Sequence, residues 1–479
     1  MKSEFLTDNQ RLTDIFNSQK QKAIQLRHSS FTERAERLKV LKEWIKENHE
    51  EIEKALYADL KKPSAETMVT ETGYALVEIN LAIKKLKKWM SPKKVKTPIH
   101  MLGTNSYIRT EPLGTALIIS PWNYPFNLSI GPVVSAIAAG CTISLKPSEL
   151  TPHTSALLRR MMTELFDADL VAVFEGGKET AQALLQLPFD HIFFTGSTSV
   201  GKTVMNAASR NLSSVTLELG GKSPVIIEKD YDLKDAAKKI AIGKFLNCGQ
   251  TCISPDYLLI HESQKETFLK DLQSQINKMY NPKNKGFITN KDYGRIIEQK
   301  HLNRLQNLLA DAQTKGGHIE FGGDIVKEEN YMAPTIISNM SENMLLMQEE
   351  IFGPILPILT YHNIEEVSHL LQLKPKPLAL YLFTKDEFVK DHFLKNTSSG
   401  TVVINDCSIQ YMQNELPFGG VNHSGIGKSH GYAGFLAFSN QKSVVEQRKG
   451  KTLPQLLYPP YDLKTTGLIN TFKKWLLKG

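Results

Sequence analysis

Cysteine is scarce in this chain, with four residues in 479. That is too few for a disulfide framework and fits a reducing, cytoplasmic setting. The sequence has no run of about 18 apolar residues, so no membrane-spanning helix is expected. Its start, MKSEFLTDNQ, shows no basic stretch followed by an apolar segment, and no secretory leader is expected. There is no fixed-period repeat and no low-complexity tract, which removes solenoids and compositionally biased arrays. No zinc-finger or RNA-binding motif accompanies the basic residues, so nucleic acid is not an expected partner. Cys248 and Cys252 lack a second Cys/His pair, and no metal site is expected.

What is present suffices for an ordinary folded protein. At 41% hydrophobic and 23% charged residues, the chain can bury a full core, and its length suggests about two to four domains. The net charge of +8 is unevenly spread. Seven lysines and no acid fall between residues 84 and 96, and from 448 onward seven basic residues face only Asp462. Together these two segments exceed the whole chain's excess, so the remainder is net acidic. The first patch continues a helical pattern, because Ile79, Ile83, Leu86 and Met90 repeat at one-face spacing and Ser91-Pro92 should end the helix. Its lysines read as a solvated helix face.

The first ~90 residues read as helices, with Leu38, Leu41, Trp44 and Ile45 as one stripe within 34–60. Short β-type runs then alternate with helical segments. GTALIIS (114–120), CTISLKP (141–147), LVAVFEG (170–176), HIFFTG (191–196) and SPVIIE (223–228) read as strands, with helices at 154–166 and 179–187 between them. This order predicts a parallel α/β sheet covered by helices on both faces. A second such run over about 250–405 includes 256–262, 354–361 and 378–384 and predicts a second α/β unit.

Several residues carry chemistry. Cys252, in FLNCGQTCIS, is a candidate nucleophile or else a buried inert thiol. Glu218, in VTLELGGKSP, is a carboxylate among apolar neighbours, which should raise its pKa and suit it to base catalysis; the bland alternative is a surface glutamate on a strand edge. FFTGSTSVGK follows a strand and should open a helix, a place where backbone N–H groups bind phosphate, although it matches neither GxxxxGK[ST] nor GxGxxG. Asn123 in SPWNYPFN offers an amide donor for an oxyanion, or is a locally bonded turn residue. Lys146 and Glu149 lie just past another strand, where parallel sheets bind ligands.

Six segments taken in order, PWNYPFNLSIGPVVSAIAAGCTISLKPSEL, FFTGSTSVGK, LELGGKSP, GKFLNCGQTCISPDY, EEIFGPILPI and LPFGGVNHSGIGKSHG, resemble the aldehyde dehydrogenase superfamily, most closely its class 3 or fatty-aldehyde branch. The resemblance implies an α/β fold with a Rossmann-type cofactor domain (1–92 and 108–219), an α/β catalytic domain (220–405), a bridging and oligomerisation element (93–107 and 406–450) and a basic tail (451–479). It implies Cys252 as nucleophile, Glu218 as general base, and Asn123 with the Cys252 N–H as the oxyanion hole. Lys146 and Glu149 would meet the adenosine ribose, Gly196 and Ser197 the pyrophosphate, and Glu350 and Phe352 the nicotinamide side. NAD is expected, with NADP possible, since Glu149 would repel a 2′-phosphate. Oxidation of an apolar aldehyde through a cysteine thioester is the implied reaction; the alternative is an inactive scaffolding relative. A homodimer is expected, as class 3 relatives form.

Tyr124, Ile409, Tyr411 and Met412, beside the matched motifs, are candidate linings of a substrate tunnel. Cys248 and Cys252 are spaced C-x-x-x-C rather than the usual redox C-x-x-C, and a reversible disulfide between them under oxidation is a hypothesis. The tail, DLKTTGLINTFKKWLLKG, is partly amphipathic, with Leu468, Ile469, Phe472, Trp475 and Leu476 on one face. It is expected either to dock at a tunnel mouth or to lie on an anionic membrane surface.

Overall fold

Strand Thr115–Ile119 shows why the apolar runs are continuous rather than alternating. Ala116 and Ile118 pack with one layer of helices and Leu117 and Ile119 with the other, so every position is buried. The structure, a computed structural model, describes residues 2–450 and 452–477. In it, Thr115–Ile119 is a central strand of a six-stranded sheet. The order runs Gly425–Ile426, Ser214–Leu219, His191–Gly196, Thr115–Ile119, Thr142–Lys146, Val171–Val173. All pairings are parallel except that of Gly425–Ile426. One face carries the helices Phe31–Glu47, Gly73–Met90, Asn127–Ala139 and Pro152–Leu165, and the other carries Lys2–Leu26, Lys178–Leu184 and Thr198–Ser209.

A second, seven-stranded sheet repeats the arrangement in the order His318–Phe321, Thr335–Ser338, Ile355–Tyr361, Tyr257–His261, Pro224–Ile227, Ala379–Phe383, Thr401–Ile404. Only His318–Phe321 runs antiparallel. Val225 and Leu258 enter one apolar cluster, while Ile226 and Leu259 enter another across the sheet. The expected parallel α/β units are therefore present.

Local departures have physical reasons. The helical stretch expected over 34–60 is two helices, Phe31–Glu47 and His49–Leu60, meeting at Asn48, and the first opens on a Ser30/Glu33 capping box. In the lysine-rich helix Gly73–Met90, Ile79 and Leu86 are buried, but Ile83 and Met90 only partly so. Ala75, Ala82 and Trp89 complete the inward stripe instead, rotating it away from the expected line. Between Ser64–Thr67 and this helix lies a π-turn, Met68–Thr72, which the sequence pattern did not reveal.

The third sheet is small and antiparallel, formed by Lys93–Lys94, Thr104–Pro112 and Ser439–Gln447. Of its longer strands, Thr104–Pro112 is mostly half-buried and Ser439–Gln447 mostly exposed, and both are largely polar, so no alternation announced them. The stretch 406–450 is not one element. Only Ser439–Gln447 joins the small sheet; Ile409–Met412 is a short helical turn elsewhere, and Gly425–Ile426 completes the first large sheet.

The tail makes a turn at Leu453–Leu457 and a helix at Leu463–Leu476. The turn packs against Ile99–Met101, the Phe472 and His100 rings lie 6.0 Å apart, and Arg448 lies over Gly103. The basic tail thus packs on the segment 99–103, which follows the lysine patch of 84–96. Of the expected tail face, the side chains of Trp475 and Leu476 lie outside the described residues, as does Lys478 beside it. Among the described residues, no helix is long and apolar enough to cross a membrane.

Candidate active site

Parallel pairing places the carboxyl ends of four neighbouring strands on one edge of the first sheet. Ser120–Asn123 follow Thr115–Ile119, Lys146 ends Thr142–Lys146, Gly196 ends His191–Gly196, and Gly220 follows Ser214–Leu219. The chain leaves Thr115–Ile119 toward Thr142–Lys146 and Val171–Val173, then returns to His191–Gly196 on its other side. Such a reversal opens a ligand crevice between strand ends. Lys146 is buried and its Nζ donates to the half-exposed Glu149 carboxylate at 2.6 Å. Ser197 caps helix Thr198–Ser209, its Oγ accepting from the Val200 N–H at 3.4 Å, so the helix amides open onto this edge. Ser120 Oγ, also at this edge, is buried without a partner. Glu149, Gly196 and Ser197, like Lys146, lie along the same crevice.

The second sheet supplies the opposite wall. Glu350 packs so closely on Gly220 that a methyl group there would overlap its carboxylate, and the Gly221 N–H donates to it. Burial and neighbouring Asp256 push the Glu350 carboxyl up to about 8. Arg304 donates to the carbonyls of Glu350 and Ile351, and Asp256 Oδ1 accepts from the Ile351 N–H at 2.9 Å, fixing the segment. Phe352 is held at φ 49°, an unusual backbone state for a bulky residue, with its ring edge-on to Trp122 at 5.3 Å. Nearby, Lys244 is fully buried with no partner for its Nζ, and burial pulls its pKa down to about 8.

Cys252 follows a turn in which Asn247, Cys248 and Gly249 all have positive φ, at 50°, 52° and 71°. For the two non-glycine residues this costs on the order of 1–3 kcal/mol each. The Gln250 side chain offsets it by donating to the carbonyls of Asn247 and Arg295 and accepting from the Ile297 N–H, each at 3.0 Å. Gly249 is required sterically as well, because a side chain would run into the carbonyls of Gly353 and Lys244. Asn123 is buried; its Nδ2 donates to the Gln250 carbonyl at 3.0 Å, leaving the second amide hydrogen for a ligand. Burial, then the charges of Glu350 and Glu218, push the Cys252 thiol up to about 12, so the resting side chain is a thiol. Cys248 and Cys252 are both free, and Cys248 is buried against Tyr293.

Glu218 is not a surface residue. Its strand is covered by Gly425–Ile426, and the residue is 6% exposed. Leu217 and Leu219 pack on one face of the sheet, and Glu218 turns to the other. Ser429 Oγ donates to Glu218 Oε1 at 2.9 Å, while Oε2 has no partner. Burial pushes this carboxyl up to about 8, against the opposing pull of Ser429 and Lys428. Ser429 is itself placed from a distance. Glu78 accepts from Asn414 Nδ2 and the Gly431 N–H, both at 2.6 Å, and Tyr74 and His430 are 3.0 Å apart. Ser429, Lys428, Gln250, Glu78 and Lys244 were not singled out in the sequence. Ser429, Lys428, Gln250 and Lys244 stood inside matched motifs, whereas nothing in the local pattern around Glu78 pointed to the site.

A cavity of about 680 Å³ reaches Cys252 from the surface. Tyr124, Ile409, Tyr411 and Met412 all line it, joined by Val69, Leu128, Ile242, Leu246 and Met279. Helix Leu233–Phe245 thus forms a wall that the motifs did not indicate. Asp235, Lys238, Lys239 and Asp406 are the charged residues of the lining. No tail residue is among its lining, so the tail does not dock at its own cavity among the described residues. The described residues include no cluster of side chains suited to a metal ion.

The model of the aldehyde dehydrogenase family matches residues 7–444. A 4,4'-diaponeurosporen-aldehyde dehydrogenase of Staphylococcus aureus is 45% identical over 431 residues, covering 90% of this chain and 91% of that one. A mouse aldehyde dehydrogenase family 3 member A2 is 41% identical, covering 89% and 87%. Among solved structures, the substrate-bound state of Staphylococcus aureus AldH superposes with a TM-score of 0.91 at 42% identity, covering 96% of this chain and 99% of that one. An NAD+ complex of a Bacillus cereus aldehyde dehydrogenase superposes with a TM-score of 0.82 at 28% identity, covering 91% and 89%. On this sequence and structural likeness, the chain belongs to the aldehyde dehydrogenase family.

Proposed function

We propose that the protein oxidises long apolar aldehydes to carboxylic acids, with Cys252 as nucleophile, Glu218 as general base and Asn123 as oxyanion donor. The observation that carries this reading is Cys252 at the end of an apolar cavity, with Glu218 near enough to influence its thiol. Cys252 releases its thiol proton to solvent water, and the thiolate Sγ attacks the aldehyde carbon, whose oxygen gains negative charge. The free hydrogen of Asn123 Nδ2 and the Cys252 N–H stabilise it, a contribution of about 10²–10³ in rate for one such donor. Loss of hydride leaves a thioester on Cys252. Glu218, once ionised, takes a proton from water, and the resulting hydroxide releases the acid.

The crevice fits a nicotinamide dinucleotide. Ser120 is an orphaned hydroxyl at its edge, and Glu350 lies in a space that glycine at 220 leaves open. Lys146 and Glu149 would hold the adenosine ribose, Gly196 and Ser197 the pyrophosphate, and Glu350 and Phe352 the nicotinamide side. When bound, the dinucleotide supplies the hydride acceptor. The Glu149 charge disfavours a 2′-phosphate and so favours NAD over NADP. The cofactor-binding unit is 1–92 with 108–219, and the catalytic unit is 220–405.

The cavity's apolar lining suits aliphatic, aromatic or isoprenoid aldehydes, and the isoprenoid aldehyde in a relative's name supports a long branched chain. A homodimer is favoured by the nine-residue strand Ser439–Gln447, whose outer edge is unpaired in the monomer. The basic tail, packed on the stretch that follows the lysine patch, favours peripheral contact of a cytoplasmic enzyme with anionic membrane.

Aldehydes of increasing chain length, tried with both cofactors, test the reading. Turnover should rise with chain length and vanish in Cys252→Ala; full activity of that variant would overturn it. Glu218→Gln should give one rapid round of reduced cofactor and then accumulate thioester, whereas undiminished steady turnover would refute its role.

A further inference from the structure

A buried ion pair lies beneath the site and belongs to none of the roles above. Lys62 follows helix His49–Leu60, and Glu71 sits in the π-turn Met68–Thr72. Both side chains have no solvent exposure and pair with each other. Desolvating two charges is expensive and seldom adds net stability, so a buried pair of this kind is most simply retained for what it positions.

Its remaining contacts all lead to one loop. Lys62 Nζ donates to the Asn123 carbonyl at 3.1 Å and lies 4.1 Å from the centre of the Tyr124 ring. Glu71 Oε2 accepts the Asn127 N–H at 2.8 Å, at the start of helix Asn127–Ala139. The pair therefore grips the 123–127 loop at both ends. Asn247 Nδ2 donates to the same Asn123 carbonyl at 2.8 Å, and its own backbone N–H is held by buried Glu66. The loop bearing the Asn123 amide and the turn leading to Cys252 are thus pinned to each other over a buried charged floor.

We propose that Lys62, clamped by Glu71, is a positioning residue that fixes the Asn123 amide for the developing oxyanion. The inference rests on Asn123 as oxyanion donor. A charged donor on the carbonyl of residue 123 removes the rotational freedom of its peptide, and so of the side chain it carries. Glu71 holds the ammonium in place and keeps the floor neutral.

The test is a cycle of Lys62→Met, Asn123→Ala and the double variant, read as the rate of first-turnover cofactor reduction at saturating aldehyde. Asn123→Ala should lose about 10²–10³-fold. Lys62→Met should lose roughly 10- to 100-fold, the scale of a small misplacement of a catalytic group, with the cofactor KM unchanged. The double variant should be no slower than Asn123→Ala, because the clamp then has nothing to position. If the Lys62→Met loss persists in full on the Asn123→Ala background, Lys62 acts elsewhere and the proposal falls. An Asn123→Ala enzyme at full rate would instead overturn the oxyanion reading, and the clamp with it. Because Lys62→Met strands the Glu71 charge, the cycle is repeated with Lys62→Met/Glu71→Gln, which removes both charges together. Full first-turnover rate in that variant would likewise overturn the proposal.

Discussion

At the scale of single residues, the site is governed by burial. In its proposed role Glu218 is a base only when ionised, and burial pushes its carboxyl up to about 8. Thioester hydrolysis should therefore rise with pH through about 8. Ser429 donates to the carboxylate and favours its charged form, so Ser429→Ala should move the rising limb to higher pH, as read from deacylation rates across pH 6–10. An unmoved limb would show that another group controls the step. The Glu350 charge, present above about pH 8, helps hold the proton on Cys252. Glu350→Gln should thus speed alkylation of Cys252 in the free enzyme at about pH 9, measured by mass spectrometry, and a slower reaction would contradict the stated cause. The sign for stability is the opposite of that for catalysis. Carboxyls raised to about 8 favour the fold while protonated, so ionising Glu218 and Glu350 weakens it as pH climbs from the ordinary carboxylate range through about 8.

At the scale of elements, close approach decides where groups point. Helix Thr198–Ser209 lies so near strand Ser214–Leu219 that a Cβ on Gly201 would strike the Leu219 side chain. Gly201→Val should push the helix amides away from the crevice and raise the cofactor KM about tenfold, equivalent to 1.4 kcal/mol, while leaving kcat nearly intact. An unchanged KM would place the cofactor elsewhere. Legibility in the sequence divides along similar lines. Thr115–Ile119, Thr142–Lys146 and Tyr257–His261 were readable because strands buried on both faces leave apolar runs. Thr104–Pro112 and Ser439–Gln447 were not, since their largely polar residues leave no pattern. Cys252, Glu218 and Asn123 were legible through their motifs, and the four tunnel residues through proximity to them. Lys62 and Glu71 were not, because a buried ion pair in a helical region looks like surface charge until its packing is known.

At the scale of the whole molecule, the basic tail meets the stretch just past the lysine patch, where the Leu453–Leu457 turn packs on Ile99–Met101. Exposed Ile99 lies in that stretch and exposed Tyr461 and Leu463 in the tail, giving apolar side chains near the cations. Full-length protein should float with vesicles containing anionic lipid, detach at high salt, and float far less when truncated after Gly450. The truncated enzyme should keep its turnover, since no tail residue lines the cavity among the described residues. Equal flotation of the two forms would remove the membrane reading. The strand Gly425–Ile426 carries a different consequence. It closes the edge on which Glu218 lies, more than two hundred positions earlier in the chain. During synthesis, that edge stays open until nearly nine-tenths of the protein has left the ribosome. A nascent chain stalled short of residue 425 presents an unpaired strand and a solvated glutamate. In such an unfinished copy the proposed base is present but lacks the buried setting that Gly425–Ile426 gives it.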